Sequence, residues 1–231
     1  MTCLKEIIKI KTVLTLVTGM HIGGNKDTVE IGGIDLPVIK LPSKNSQPYI
    51  PGSSLKGKMR CLLEQTFGIS QVGDKGNEEE CGFMPVRDLF GSAGGNGVAR
   101  PSRLIVRDAM LTPESEESLR GNRNLDVPYL EYKTENTINR LQGTAEHPRT
   151  LERVPAGAEF EVEFVLNIWR DNNSDYSSDK KIEEIPEYKL LKKGMELLEN
   201  DYLGGNGSRG YGEIKFSPIS FKRFNTEKGW Q

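Results

Sequence analysis

The feature that most constrains the fold is an alternating segment, residues 158–169 (AEFEVEFVLNIW). Successive side chains of a β-strand point to opposite faces, so this pattern predicts a strand with one apolar and one polar face. The apolar face carries Phe160, Val162, Phe164, Leu166 and Ile168, and the polar face carries Glu159, Glu161, Glu163 and Asn167. We therefore expect the chain to build its core on one side of a sheet.

Five other segments carry a strand or helix pattern. Strands are predicted over 6–18, 103–111 and 211–224, the first with Ile8, Ile10, Leu14 and Leu16 on one face. A helix is predicted over 53–67, and its apolar face carries Leu55, Met59, Leu62, Leu63 and Thr66. A second helix is predicted over 186–200 and begins at Pro186. Its apolar face carries Tyr188, Leu191, Met195 and Leu198.

The order strand, helix, strand, strand, helix, strand predicts an α+β fold with a ferredoxin-like (RRM-like) βαββαβ core. Its sheet is antiparallel, with two helices on one face. We expect the 231 residues to form a single domain with large insertions. The insertions fall at 19–50, at 68–100, which forms a surface lid, and at 112–157, a projecting hairpin or loop that adds little to the core.

Charge is segregated along the chain. The net charge is −2 and the pI about 5.9, which by itself does not indicate a nucleic-acid partner. Acidic residues crowd 74–80, 114–117 and 171–187, whereas 53–60 and 100–107 are basic. A polyanion is therefore expected to meet one basic face only.

Hydropathy and cysteine content exclude several classes of protein. The mean hydropathy is −0.52 and no apolar run approaches eighteen residues, so we expect a soluble, cytoplasmic protein without a membrane segment. Cys3, Cys61 and Cys81 lie far apart without a CxxC pair, and only His21 and His147 add to them. This argues against a disulfide framework and against a structural zinc site.

The basic segment 51–60, PGSSLKGKMR, has the features of a phosphate site at a helix N-terminus. Ser53 or Ser54 is placed to cap the helix. Lys56, Lys58 and Arg60 follow without an acid among them, and all three are predicted to point outward. The alternative is an amphipathic helix whose cations are merely solvated. Gly52 to Lys58 also spells the P-loop pattern, but Met59 stands where that motif needs a Ser or Thr hydroxyl for Mg²⁺.

A second glycine-rich segment, LGGNGSRGYG at 203–212, contains Gly205, Gly207 and Gly210 in the spacing of the dinucleotide fingerprint. That motif needs a strand before it and a helix after it, and here the order is reversed. The glycines allow close approach of backbone to a ligand, with Arg209 available for a phosphate. A flexible connection between helix and strand is the alternative.

Four motifs stand out along the chain: TGMHIGG at 18–24, GGIDLPVIK at 32–40, PGSSLKGKMR at 51–60 and LGGNGSRGYGEIKF at 203–216. Together they resemble the RAMP superfamily of CRISPR proteins and, within it, the backbone subunit of the type III-A (Csm) effector complex. The resemblance implies head-to-tail copies of the chain along a CRISPR guide RNA, beside other subunits of the complex. It also implies that the 112–157 insertion is a thumb that kinks the duplex of guide and target RNA.

The resemblance further implies that each copy cleaves the complementary target RNA, with Asp35 as the catalytic residue. It assigns RNA binding to His21, Ser53, Ser54, Lys56, Lys58, Arg60, Arg140, Gly205, Gly207, Arg209 and Gly210. Further polar residues of the family correspond to Asp108, Glu131, Glu135 and Glu152.

RNA supplies its own nucleophile, the 2′-hydroxyl, so a single carboxylate suffices in an in-line geometry. Asp35 would act as the base or as a ligand of Mg²⁺ or another divalent cation, giving a 5′-hydroxyl and a 2′,3′-cyclic phosphate. Without the resemblance, Asp35 reads as a turn residue. The alternatives are a non-catalytic guide-binding scaffold, a CRISPR RNA-processing RAMP nuclease and, last, a nucleotide-hydrolysing enzyme.

Overall fold

The computed structural model describes residues 2–24, 36–44, 46–70, 76–92, 100–171, 180–226 and 229–230. Asp35, the predicted catalytic residue, lies outside these ranges. The described residues form the helices α1 Gly52–Thr66, α2 Val86–Phe90, α3 Pro113–Arg120 and α4 Pro186–Glu199. Their strands are β1 Thr2–Leu16, β2 Lys40–Leu41, β3 Gln47–Ile50, β4 Leu104–Val106, β5 Ala109–Leu111, β6 Glu131–Ile138, β7 Ala145–Arg153, β8 Glu159–Asp171, β9 Ile214–Phe216, β10 Ser220–Asn225 and β11 Gly229–Trp230.

The sheet is organised around two long antiparallel strands, β1 and β8, in which Ile10 lies opposite Phe164. On the far side of β1 lie β9 and β10, and β11 extends the sheet beyond β10. On the far side of β8 lie β4 and β5, followed by β3 and β2. All these pairs are antiparallel. The fold is therefore α+β with a mostly antiparallel sheet.

The core lies between one face of this sheet and the paired helices α1 and α4. The apolar faces predicted for β1, β8 and α4 are confirmed, since all their members are buried, and Pro186 stands at the first turn of α4. Helix α1 buries Leu55, Met59 and Leu63. Leu62 is half-buried and Thr66 is exposed, so the predicted apolar stripe of α1 was too wide.

The strand predicted over 103–111 is two short strands, β4 and β5, separated at Arg107 and Asp108. Both pair with β8. The break lets the Asp108 carboxylate accept the backbone N–H of Gly52 at 2.8 Å. A continuous strand would have kept that side chain in the pleat of the sheet.

The last predicted strand, 211–224, is also interrupted. It forms β9 and β10, which both pair with β1, and Pro218 lies in the connection between them. Proline lacks a backbone N–H and so interrupts a strand ladder. The prediction of a strand over 211–224 was right about the region but wrong about its continuity.

The predicted insertions contribute more to the core than their composition suggests. In the 68–100 segment, α2 buries Val86, Leu89 and Phe90, so the prediction of a purely surface lid was wrong there. In the 112–157 segment, Leu119 and Tyr129 also join the core. The same segment contains the two-stranded β6–β7 sheet, whose outer half is exposed and matches the predicted hairpin.

Candidate nucleic-acid interface

The glycine loop, residues 203–212, lies directly against the turn that follows β1. The Gly205 N–H donates to the His21 carbonyl at 2.8 Å, and the Gly212 N–H donates to the Gly19 carbonyl at 3.1 Å. Gly204 has a φ of +87°, and a Cβ there would overlap the His21 carbonyl oxygen. The structure thus brings two predicted motifs together that are about 180 residues apart in the chain, and glycine is required for that approach.

His21 is buried at this junction, with 7% of its surface exposed. Its Nδ1 atom lies 2.7 Å from the backbone carbonyl oxygen of Glu152. A carbonyl only accepts hydrogen bonds, so Nδ1 carries the proton. The imidazole is therefore held in one orientation between β7 and the glycine loop.

Glu152 also fixes the segment that directly follows Asp35. Its carboxylate accepts the Val38 N–H at 2.9 Å and pairs with the Lys40 ammonium at 2.8 Å. Its own backbone N–H donates to the Leu36 carbonyl at 3.1 Å. A single residue at the base of the hairpin thus anchors both His21 and the chain from residue 36 onward.

A second cluster connects the glycine loop to the base of the hairpin. The Tyr211 hydroxyl donates to Glu135 at 2.6 Å, and Arg209 donates to the other carboxylate oxygen of Glu135 at 3.0 Å. Lys133 lies 4.4 Å and Arg153 5.1 Å from the centre of the Tyr211 ring. Burial, followed by the bond to Glu135, raises the pKa of Tyr211 to about 12, and that bond foremost lowers the pKa of Glu135.

Of the three cations predicted on helix α1, Lys58 lies beside the glycine loop. Its ammonium is 2.6 Å from the Asp201 carboxylate and 3.7 Å from the centre of the Tyr202 ring. Gly207 packs against the same ring so closely that a Cβ there would overlap it. Helix α1 and the glycine loop therefore share a continuous surface around Tyr202.

Lys56 and Arg60 face other partners. The Lys56 ammonium donates to the Ser102 hydroxyl at 2.7 Å and to the Leu104 carbonyl at 2.8 Å, and burial foremost, then Arg60, lowers its pKa. Arg60 donates to Glu64 at 2.7 Å and to the Gly91 carbonyl at 3.1 Å. The prediction that all three cations point outward together was wrong, because residues two apart on a helix do not share a face.

The N-terminus of α1 is capped differently from the prediction. Pro51 occupies the cap position without a side-chain cap bond, so neither Ser53 nor Ser54 caps the helix. The Asp108 carboxylate bonds to the Gly52 N–H instead and supplies a negative charge where a phosphate was expected. Ser53 is exposed and Ser54 is half-buried, and their RNA-binding roles stay predictions.

Arg140 lies in the exposed turn that joins β6 to β7. It is five residues beyond Glu135 and lies past the end of β6 at Ile138. Gly210 and Arg209 are exposed at the other end of this surface, next to the hairpin base. The structure therefore places Arg140 apart from the predicted RNA-binding residues around the glycine loop.

Within the described ranges, no three side chains of His, Cys, Asp or Glu come together in a way that would hold a metal ion. The Glu152 carboxylate already binds Lys40 and the Val38 N–H. The described residues also include no helix that is long and apolar enough to cross a membrane.

Comparison with protein-family models matches residues 13–215 to the RAMP superfamily. The chain belongs to the RAMP superfamily. Both halves of the candidate interface, the His21 turn and the glycine loop, lie inside the matched range. The expectation drawn from the four sequence motifs is thereby confirmed at the level of the superfamily.

Several relatives of this RAMP protein share much of its length. It is 44% identical over 220 residues to a CRISPR system Cms endoribonuclease Csm3 of Methanocaldococcus jannaschii, covering 94% of this chain and 81% of that one. It is 39% identical over 215 residues to the protein of the same name from Streptococcus thermophilus, covering 92% and 88%.

Solved structures give a matching fold. A chain of the Csm3-Csm4 subcomplex of the type III-A CRISPR-Cas interference complex aligns with a TM-score of 0.55 and 31% identity, covering 97% of this chain and 83% of that one. A chain of the type III-B Cmr-beta complex bound to cognate target RNA aligns with a TM-score of 0.59 at 17% identity, covering 94% and 61%. The second match shows the shared fold alone.

Residues that hold the interface of this RAMP protein together were mostly missed by sequence reasoning. Asp201, Tyr202 and Tyr211 place Lys58, the glycine loop and the hairpin base relative to one another. Tyr211 stands between two glycines, Gly210 and Gly212, and an aromatic residue in such a loop is a usable signal for a fixed contact. The ring contact of Arg153 had no comparable signal.

Proposed function

We propose that this chain is the guide-RNA-binding backbone subunit of a type III-A CRISPR effector complex and an endoribonuclease that cleaves the complementary target RNA at regular intervals. One observation carries the proposal: the His21 turn, the glycine loop and Lys58 form one surface in a chain whose relatives are named CRISPR endoribonucleases. Cations on one surface, here Lys58 and Arg209, suit a sugar–phosphate strand.

The core of this subunit is proposed to be ferredoxin-like. If β4 and β5 count as one interrupted strand and β9 and β10 as another, the core has four strands, which in chain order are β1, β4–β5, β8 and β9–β10. Across the sheet they lie in the order last, first, third, second. Helices α1 and α4 follow the first and third of these strands. This order and its antiparallel pairing support a βαββαβ arrangement carrying the β6–β7 thumb as an insertion.

Several copies are proposed to stack head to tail along the guide RNA, next to other subunits of the complex. A head-to-tail contact uses two different surfaces of the chain and gives an open array, so its length is set by the RNA or by other subunits. The similarity of this protein to a chain of the Csm3-Csm4 subcomplex supports an assembly with other subunits.

Asp35 is proposed as the catalytic residue, acting on the 2′-hydroxyl of the target RNA as a base or through Mg²⁺. A divalent cation would be held by Asp35 together with RNA oxygens and water, as suits Mg²⁺. Such a cation would neutralise developing charge on the phosphate. The protein's own contribution is Glu152, which holds the chain that follows Asp35.

The test is cleavage of a labelled complementary RNA by the assembled complex carrying its guide RNA, with Mg²⁺ present. Asp35→Ala is expected to lower the cleavage rate by ~10²-fold or more, on general-base magnitudes, while guide RNA remains bound. Asp27→Ala, in the same stretch of sequence, is the matched control and should keep a regular ladder of products. Normal cleavage by Asp35→Ala, or no ladder with the wild type, would reduce the chain to a guide-binding scaffold.

A further inference from the structure

The Glu135 carboxylate on β6 is surrounded by groups that would bind a phosphate equally well. The Tyr211 hydroxyl donates to one of its oxygens at 2.6 Å, and the Arg209 guanidinium donates to the other at 3.0 Å. The Lys133 ammonium lies 3.7 Å from the oxygen that Tyr211 binds. Hydroxyl donors and cations are the groups that bind the anionic oxygens of carboxylates and phosphates alike. Glu135 therefore occupies an anion site that the hairpin and the glycine loop build together.

The Asp201 carboxylate has a similar position at Lys58. It lies 2.6 Å from the Lys58 ammonium, which also lies 3.7 Å from the centre of the Tyr202 ring. Among the described residues, Lys58 is the only partner of this carboxylate. Lys58 and Arg209 are the two cations that carry the candidate interface, so an acid of the same chain occupies each of them.

These two carboxylates differ from those that hold the fold together. The side chains of Glu152 and Glu187 are 5% and 1% exposed, and each binds groups on other elements of the chain. The side chain of Asp201 is 31% exposed, and that of Glu135 is 16% exposed. Because ion pairs with access to water contribute little to stability, a competing anion can replace such a carboxylate.

We propose that Asp201 and Glu135 are intramolecular competitors of RNA, whose carboxylates occupy Lys58 and Arg209 in the free chain and yield them to RNA phosphates. The inference rests on the proposed function, because it needs an RNA strand at the glycine loop. An unpaired cation on this surface would attract any polyanion. A paired cation is released only by a strand that offers phosphates to several cations at once, since each single exchange gains little. The two acids thus make binding depend on continuous contact with the strand.

The experiment measures the affinity of the full chain for a labelled single-stranded RNA. Asp201→Asn and Glu135→Gln remove the charge of each acid but keep its size and an oxygen that accepts hydrogen bonds. Each change also makes the chain less negative, which by itself favours RNA. Asp88→Asn and Glu163→Gln are therefore the matched controls, because they remove an acid from ion pairs on α2 and β8, outside α1 and the glycine loop.

A second arm tests whether Asp201 acts through Lys58. Asp201→Asn is combined with Lys58→Met, and the wild type, the two single variants and the double variant form a double-mutant cycle. Urea unfolding of each variant confirms that the chain is folded before its RNA affinity is compared.

We expect Asp201→Asn and Glu135→Gln each to strengthen RNA binding by about fivefold, which corresponds to about 1 kcal/mol, the upper range for an ion pair with access to water. The two control variants should gain less than about twofold, because charges far from the strand are screened by salt. With Lys58→Met already in place, Asp201→Asn should change the affinity no more than the controls do.

RNA binding by Asp201→Asn that is unchanged or weaker would overturn the inference. An equal gain in the controls would also overturn it, because the gain would then come from net charge alone. A gain that persists with Lys58→Met would show that Asp201 does not act on Lys58, and weaker binding by Glu135→Gln would make Glu135 a support for Arg209. Each of these results leaves the proposed function standing as long as the wild type binds RNA. A wild type and variants that all bind no RNA would overturn both.

Discussion

The Nδ1 atom of His21 and the backbone carbonyl oxygen of Glu152 are 2.7 Å apart, and this bond joins the turn after β1 to the last strand of the hairpin. The His21 carbonyl in turn accepts the N–H of Gly205. His21 is therefore the point at which the sheet, the hairpin and the glycine loop meet. A histidine in this position contributes to stability and to the shape of the candidate interface at once.

Replacing His21 is expected to affect both properties. His21→Ala leaves the buried Glu152 carbonyl without its donor, which costs about 1–3 kcal/mol, and should weaken guide RNA binding as the glycine loop loosens. His21→Asn can place an amide N–H near the position of Nδ1 and should lose less stability. Urea unfolding and RNA titration of both variants provide the check. Equal stability of wild type and His21→Ala would contradict this account.

Substitutions at two glycines of the loop distinguish the cost of a close contact from the cost of a left-handed backbone conformation. Gly204→Ala must place a methyl group against the His21 carbonyl at a φ of +87° and is expected to lose about 2–4 kcal/mol. Gly210→Ala has a similar φ of +83°, but no atom lies within 4 Å of its Cβ, so about 1 kcal/mol is expected. Chemical denaturation measures both. A larger loss in Gly210→Ala would show that the loop does not pack on His21 as described.

Lys56 and Lys58 should behave differently, although the sequence placed them in one basic cluster. Lys56→Met removes two hydrogen bonds from a half-buried ammonium and should cost about 1–3 kcal/mol without changing the salt dependence of RNA binding. Lys58→Met breaks a partly exposed ion pair, a loss of less than about 1 kcal/mol, and should reduce the salt slope by about one. A reduced slope in Lys56→Met would show that its ammonium leaves Ser102 for RNA.

The buried Glu187 carboxylate should make the free energy of unfolding depend on pH. It is fully buried, and although burial raises its pKa, bonds to Arg170 and then Arg103 outweigh this and lower it overall. The stabilisation is therefore present above the ordinary glutamate pKa of about 4.3 and is lost as the pH falls through the lowered value.

Glu187→Gln is expected to destabilise the protein by about 3–5 kcal/mol at pH 7, because two guanidinium groups lose their buried partner. The difference from wild type should shrink in acid, as the wild-type carboxylate becomes protonated. Glu196→Gln, at an exposed pair with Lys193 on the same helix, should change stability by less than about 0.5 kcal/mol at any pH. Denaturant titrations from pH 3 to 7 compare the two. A difference for Glu187→Gln that stays constant over this range would contradict the ion-pair account.

Regular elements with a clear period were predictable from the sequence. Every position that the alternation in β8 and the helical spacing in α4 assigned to the apolar face is buried, because burial on one face directly imposes the period. Val165 of β8 and Glu187, Leu190 and Gly194 of α4 are buried as well and were not predicted. The break of the strand at Asp108 was not predictable, since the bond that Asp108 makes there is to the N–H of Gly52, which is remote in sequence. The same holds for α2, whose five residues are too few to show a period.

The sequence by itself determined the family, the order of the elements and the two glycine-rich motifs, since these depend on local residue type and spacing. Only the tertiary structure decided which cations face the candidate interface, because Lys56, Lys58 and Arg60 each turn toward an acceptor on another part of the chain or on their own helix. It also decided that His21, Glu152 and Gly205 meet at one point. Side-chain partners are set by packing of distant segments, which residue patterns along a chain do not encode.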